Sequence, residues 1–249
     1  MVDFTGGTWR SLIDGQEVSA IPDSGGTHQW NYDEGSGDTF ADSIATLDGT
    51  LVNNPSWASD AGAGGSYVVL NGTDQYGDLG SESRTEFTHF TENGVGTWAK
   101  WIKPANTTDR MSVAVSTSDS AFVGTELRVD SGEVQWRCYT GDGNFPWVSD
   151  GGSYSADDWI FVAGTADGSD AFTYLAEPPD YDVLQVGSDE INTGELTSQD
   201  FDNNVEIGRS ANDGSNHFEG GIGLDFTDNS SRTQSNLQEW VDDTKGFYE

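Results

Sequence analysis

Short apolar runs broken by Gly, Asp, Asn and Ser clusters recur along almost the whole chain, and this punctuation limits the fold more than any other feature. An amphipathic helix needs apolar residues three and four apart over ten or more positions, and turn formers at this density interrupt that period. The runs instead have strand length. Tyr67-Val68-Val69-Leu70 ends at Asn71-Gly72, and Val95, Thr97, Ala99 and Trp101 alternate. Met111 to Ser116, Phe122 to Val129 and the stretch around Trp136 follow. Trp159 to Ala163 is continuously apolar, as a central strand would be. Ala171 to Ala176, Val205 to Gly208 and Gly221 to Phe226 complete at least eight expected strands. Many short strands at this spacing imply an all-β fold, a two-sheet antiparallel jelly-roll sandwich. Only the end of the chain reads differently. Leu237, Trp240 and Val241 share one helical face, Ser235 to Gln238 has the form of a capping box, and Gly246 is placed as a stop. One short C-terminal helix over about 235–245 is expected.

The core must come from few residues. Hydrophobic residues make up 34% of the chain, but the aromatics include 9 Trp, each of which buries a large area. Sandwiches of 249 residues form single domains, so one unit over 27–249 is expected. Residues 1–26 read as an N-terminal arm or docking segment, ending in Pro22-Asp23-Ser24-Gly25-Gly26. Within the arm, two apolar stretches flank Asp14-Gly15 as in a hairpin.

Charge sets the medium. There are 43 acidic against 10 basic residues, a formal net charge of -33, and Lys occurs only at Lys100, Lys103 and Lys245. Self-repulsion of this size is screened at molar salt, where the Debye length falls to about 3 Å. Adaptation to a halophilic medium is therefore expected, and the aromatic content argues against an acidic disordered chain. The same balance argues against nucleic acid as a partner, because phosphate binding needs clustered Arg and Lys. No run is long enough to span a bilayer, and Met1 to Arg10 lacks the form of a signal peptide. The single Cys138 cannot form an internal disulfide. It shares a strand face with Val134 and Trp136, which makes it a core thiol rather than a nucleophile.

Five segments in order carry a family resemblance. Trp30-Asn31-Tyr32-Asp33-Glu34-Gly35-Ser36-Gly37-Asp38, with Phe40 to Ser43 and Leu47 to Leu51, resembles the opening of laminin-G-like, concanavalin A-like jelly-roll domains. Leu70 to Tyr76 resembles their strand-turn segment, and Trp98 to Pro104 their Trp-containing strand. Trp159 to Gly168 and Phe218 to Phe226, followed by the helix, are similar to the central and closing strands. The resemblance covers about 28–248. Gly223 stands where such domains often carry Asp, and Ile160-Phe161 replaces a usual His pair. Both departures count against an inherited metal site beside that strand.

The resemblance implies sugar-binding domains, adhesion modules, virion proteins and glycoside hydrolases as function classes, since the fold alone does not choose. The hydrolases place Glu-x-Asp-x-(x)-Glu on one strand, and no Glu here is followed two residues later by Asp. A non-catalytic protein is expected. Relatives often hold Ca²⁺ at a sheet rim, for which Asp74 and Asp78 are the candidates by oxygen chemistry; no cofactor is required. For glycans, the Gly-rich loop from Tyr139 to Trp147 offers Tyr139, Phe145 and Trp147 as stacking surfaces; the alternative for Trp147 is that it folds back onto the sandwich end.

The leading expectation is a virion surface structural protein of a halophilic archaeal virus: a capsid decoration, turret or tail-fibre component. The arm would contact other virion proteins, the sandwich would bind host surface glycans, and symmetry favours a homo-oligomer. The alternative is a haloarchaeal cellular lectin-like protein, outside the cell or on its surface. A glycoside hydrolase is the third reading.

Overall fold

The computed structural model describes residues 10–13, 16–19, 21–59, 66–109, 111–118, 123–140, 145–196, 203–211 and 214–248. In chain order the strands open with β1 (Arg10–Ile13), β2 (Gln16–Ser19), β3 (His28–Trp30), β4 (Thr39–Phe40), β5 (Gly49–Val52) and β6 (Ser56–Ser59). Then come β7 (Ser66–Asn71), β8 (Tyr76–Asp78), the short helices α1 (Ser83–Glu86) and α2 (His89–Asn93), β9 (Val95–Pro104) and β10 (Met111–Ser118). Next are β11 (Val123–Asp130), β12 (Glu133–Thr140), β13 (Trp147–Gly151), β14 (Ile160–Asp167) and β15 (Asp170–Ala176). The series closes with β16 (Leu184–Glu190), β17 (Glu206–Ile207), β18 (Glu219–Asp228) and α3 (Gln234–Thr244).

Two antiparallel sheets carry the fold. The first runs β13-β12-β11-β10-β17-β8-β5-β4, and the second runs β16-β15-β14-β9-β18-β7-β6, with β3 also paired to β18. The expected all-β sandwich with one C-terminal helix is what forms. β1 and β2 pair only with each other, in a two-stranded sheet of their own. The Asp14-Gly15 turn expected between them lies outside the described residues, as do Phe122 and Gly141 to Asn144.

Strand alternation sorts the side chains into two cores. Trp98 and Ile102 of β9 point between the sheets, where they meet Trp136 and Cys138 of β12 and Leu127 of β11. Phe87 and Phe90, at the short helices α1 and α2, join this core and stack on Trp98 at centroid distances of 5.1 and 6.4 Å. The opposite face of β9, with Ala99 and Trp101, belongs to a second core under α3. There Leu237, Trp240 and Val241 meet Phe161, Leu224 and Phe226 on the outside of the second sheet. Fully burying side chains of this size contributes roughly 1.5–3 kcal/mol each, so the second core is what fixes the helix.

The helix begins at Gln234, one residue earlier than expected. Thr233, in extended conformation, is the N-cap, and its hydroxyl accepts from the Asn236 backbone N–H while the Asn236 side chain answers. Ser235 to Gln238 is therefore not the cap, because those residues are already helical. Gly246 does not end the helix in a left-handed turn either. The chain passes from Thr244 into a 3-10 turn over Lys245–Phe247, and Tyr248 inserts beneath it. β18 carries a bulge between Ile222 and Asp225. The Leu224 N–H freed there donates to Tyr248 Oη at 2.6 Å. Gly223 is required at this place, since a Cβ would stand 2.3 Å from that hydroxyl.

The two long sides of the sandwich differ. On one, the edge strands β13 and β16 touch through backbone. A Cβ on Gly151 would lie 2.0 Å from the Val186 carbonyl oxygen, and one on Gly187 would lie 2.4 Å from that of Asp150. On the other, β4 and β5 face β6 across an open cleft.

Candidate functional site

The open side is built from two turn-rich segments. Gly35, Ser36, Gly37 and Asp38 precede β4, while Leu51, Asn54, Pro55 and Trp57 come from β5, the following turn and β6. Together they line a shallow depression of about 550 Å³. Trp57 forms one wall. It packs against the interior core along one edge and stays partly exposed, and its indole N–H donates to the Gly37 carbonyl at 2.8 Å. That bond fixes the ring plane and ties β6 to the opposite segment.

The turn beneath it is held in a sparsely populated backbone shape. Asn53 and Asn54 both have positive φ, +64° and +52°. Asn tolerates this conformation better than most residues, at a cost that surrounding bonds must offset. Gln75 Nε2 donates to both carbonyls, at 3.2 and 3.0 Å, and Asn53 Nδ2 donates to the Asp74 carbonyl at 2.7 Å. The cleft thus presents a fixed indole and a proline ring beside a carboxylate, a hydroxyl and a carboxamide. That set suits a pyranose or furanose ring: apolar C–H faces pack on the rings, and hydroxyls exchange hydrogen bonds with Asp38, Ser36 and Asn54.

The residues expected from sequence sit elsewhere. Trp147 is fully buried and packs at 6.3 Å from Trp136 in the interior core, so it is not a ligand platform. It starts β13 with its side chain on the inward face, which is the folding-back alternative. Phe145 is exposed at 43% and packs on Tyr139 at 5.2 Å. This pair lies at the β13 edge of the first sheet, seven strand spacings from the β4 edge that borders the cleft. Tyr139 and Phe145 therefore form a separate aromatic patch.

Asp74 and Asp78, the calcium candidates, are each engaged by protein donors. The Asp74 carboxylate accepts from Asn71 Nδ2 at 2.9 Å, within the turn that supports the cleft. Asp78 accepts from Asn204 Nδ2 on both oxygens, at 2.9 and 3.2 Å, and from the Gly80 N–H at 2.7 Å. Among the described residues no group of three or more His, Cys, Asp or Glu could hold a metal ion.

The outward face of the first sheet carries a polar row that sequence reasoning missed. Arg137, Glu126, Val115, Glu206 and Asp78 stand directly opposite one another across five adjacent strands. Glu126 accepts from Ser112 Oγ and Tyr139 Oη, both at 2.5 Å, with Arg128 Nη1 at 3.5 Å. Burial, with the Glu126 charge beside it, pushes the Tyr139 phenol well up. Glu206 receives two bonds from the Arg209 guanidinium, which lies 3.5 Å above the Tyr76 ring. Burial raises the Glu206 carboxyl although Arg209 opposes the rise. Two carboxylates on one sheet face are the raw material of glycoside hydrolysis, but each is bound to its own protein donors. Their signal was available as alternating charged residues in Glu126, Arg128 and Asp130, opposite Gln135 and Arg137.

Comparison with known proteins agrees with the fold. A family model described as concanavalin A-like lectin/glucanases superfamily matches residues 71–224. Domain 4 of a GH43 extracellular arabinanase from Geobacillus stearothermophilus, solved with arabinotriose, has a TM-score of 0.60 at 16% identity, covering 86% of this chain and 97% of that one. The CBM40 of a Ruminococcus gnavus IT-sialidase, bound to α2,3-sialyllactose, gives 0.54 at 17% identity, with 69% and 93% covered. The binding domain of botulinum neurotoxin serotype D gives 0.59 at 12% identity; the match spans 88% of this chain and 51% of that longer one. At these identities the likenesses show the fold alone. No curated protein matches the chain. The cleft segments, 35–57, precede the range that the family model matches.

Proposed function

The chain belongs to the concanavalin A-like lectin/glucanases superfamily, and from that premise we propose that it is a non-catalytic glycan-binding domain with its sugar site in the lateral cleft. The observation that carries the proposal is the fixed Trp57 ring facing Asp38, Ser36 and Asn54 in an open depression. The sugar complexes solved for neighbours of the same fold support the class of ligand. The engagement of Glu126 and Glu206 by protein donors supports binding without hydrolysis.

The test is a glycan-binding screen in molar NaCl, followed by titration of the best ligand. Trp57→Ala should weaken binding roughly tenfold or more, the scale of a lost stacking contact, while Trp57→Phe retains most of it. Phe145→Ala should leave affinity unchanged. Full affinity in Trp57→Ala, or loss in Phe145→Ala alone, would move the site to the Tyr139–Phe145 patch.

The proposed setting is the surface of a halophilic archaeal virus, as a capsid decoration, turret or tail-fibre protein present in several copies and attached through residues 1–26. The net charge of -33 and the separately paired β1–β2 hairpin support it. Mass spectrometry of purified virions should find the chain at stoichiometric copy number. Its absence there, with recovery from haloarchaeal cell surfaces, would favour the cellular lectin-like alternative.

A further inference from the structure

We infer that Lys100 and Asp225 join in an intramolecular amide, a covalent cross-link between β9 and β18 inside the sandwich. The two residues stand directly opposite in the antiparallel register, and both side chains are fully buried. Lys100 Nζ lies 2.7 Å from Asp225 Oδ2. The amine and that oxygen therefore meet directly, as a buried pair inside the sandwich. The other oxygen, Oδ1, accepts from the Trp98 indole N–H at 2.9 Å, and the Lys100 amine donates across the sandwich to the Val113 carbonyl at 3.2 Å.

This setting favours the reactants. Two separate charges in an apolar interior carry a desolvation cost that their attraction offsets only in part. Burial lowers the Lys100 ammonium and raises the Asp225 carboxyl, and in each case it outweighs the pull of the partner. Both shifts move the pair toward a neutral amine beside a neutral carboxylic acid. Fixed proximity of this kind corresponds to effective concentrations on the order of 10⁵ M or more.

The step balances without any co-reactant. The amine lone pair attacks Asp225 Cγ, and the C–N bond forms. Negative charge gathers on Oδ1, where the Trp98 N–H already points. One amine proton passes to Oδ2, the Cγ–Oδ2 bond breaks, and water leaves. The product fits the existing donors and acceptors. Its carbonyl oxygen keeps the Trp98 N–H and its amide N–H keeps the Val113 carbonyl, so two buried charges become one neutral, satisfied group.

The test is the intact mass of the full chain, folded in molar NaCl and then denatured. The expected mass is lighter than the sequence by one water. Tandem mass spectrometry should recover a branched peptide joining position 100 to position 225. Chain kept in denaturant from synthesis onward should carry the full mass, and so should Lys100→Arg. Unlinked Lys100 and Asp225 peptides from the folded wild-type chain would overturn the inference, as would a water loss that maps to any other position. Because the wild-type chain decides the outcome, a variant that fails to fold leaves the test intact.

Discussion

Asp42 organises more backbone than any other carboxylate among the described residues. Its two oxygens accept from the backbone N–H groups of Gln29, Ile44, Ala45 and Leu47 and from His28 Nδ1, at 2.7–3.2 Å. Burial pushes its carboxyl up, but these bonds outweigh burial and hold it below the usual range. A folded-state value below the unfolded one stabilises the fold in full above an ordinary Asp pKa of about 3.9, and that contribution fades as pH falls through the depressed value. Asp42→Ala should cost about 3 kcal/mol in chemical denaturation at neutral pH, with the gap to wild type closing in acid. At this scale the sequence was legible where a residue sits in a period-two strand. Cys138 and Trp136 share the inward face as expected, and burial pushes the Cys138 thiol well up, away from nucleophilic use. It was not legible at Trp57, whose four-residue edge strand gives too little pattern to show which face is wet. Nor was it legible at Asp225, where a bulge places an acid on the inward face that unbroken alternation would have sent outward.

Elements with a long period were readable, and most of the shortest ones were not. β9 and β14 follow their apolar patterns, β18 does so up to its bulge, and α3 follows its Leu237, Trp240 and Val241 stripe. The two-residue strand β4 and the helices of four and five residues have no period to display, whereas β17 falls inside the expected Val205 to Gly208 run. Such pieces exist only because tertiary contacts hold them, as Phe87 and Phe90 hold α1 and α2 to the core. Helix ends are likewise settled by cap geometry rather than by the stripe, which is why the N-cap falls at Thr233. Thr233→Ala should lower stability by about 1 kcal/mol, while Ser235→Ala, already inside the helix, should change it little. Paired thermal melts of the two variants separate the observed cap from the expected one.

The whole molecule shows how charge and fold divide their tasks. The family's strand order and the extreme acidity are both sequence properties, and the two-sheet sandwich follows from the first. The proposed binding surface does not, because it arises where segments 35–38 and 51–57 meet across two sheets. Each segment alone looks like any surface turn. The charge bears on stability. At tenths of molar NaCl the Debye length widens to several ångströms or more, and -33 net charges repel over the whole surface. Circular dichroism should show the melting temperature falling steadily as NaCl is diluted from molar toward tenths of molar. A melting temperature independent of salt would remove the halophilic reading.

The unequal long sides of the sandwich make it resemble a bound volume. Its spine is the β13–β16 edge, where backbone meets backbone over glycines that leave no room to separate. Its fore-edge is the β4–β6 side, where the short turn from β5 to β6 and the bond from Trp57 to Gly37 join the two covers. The spine leaves no space for a guest at Gly151 and Gly187, while the fore-edge keeps a depression of about 550 Å³. A guest seated between the leaves there would be gripped by the closing of the book, and would in turn hold it shut.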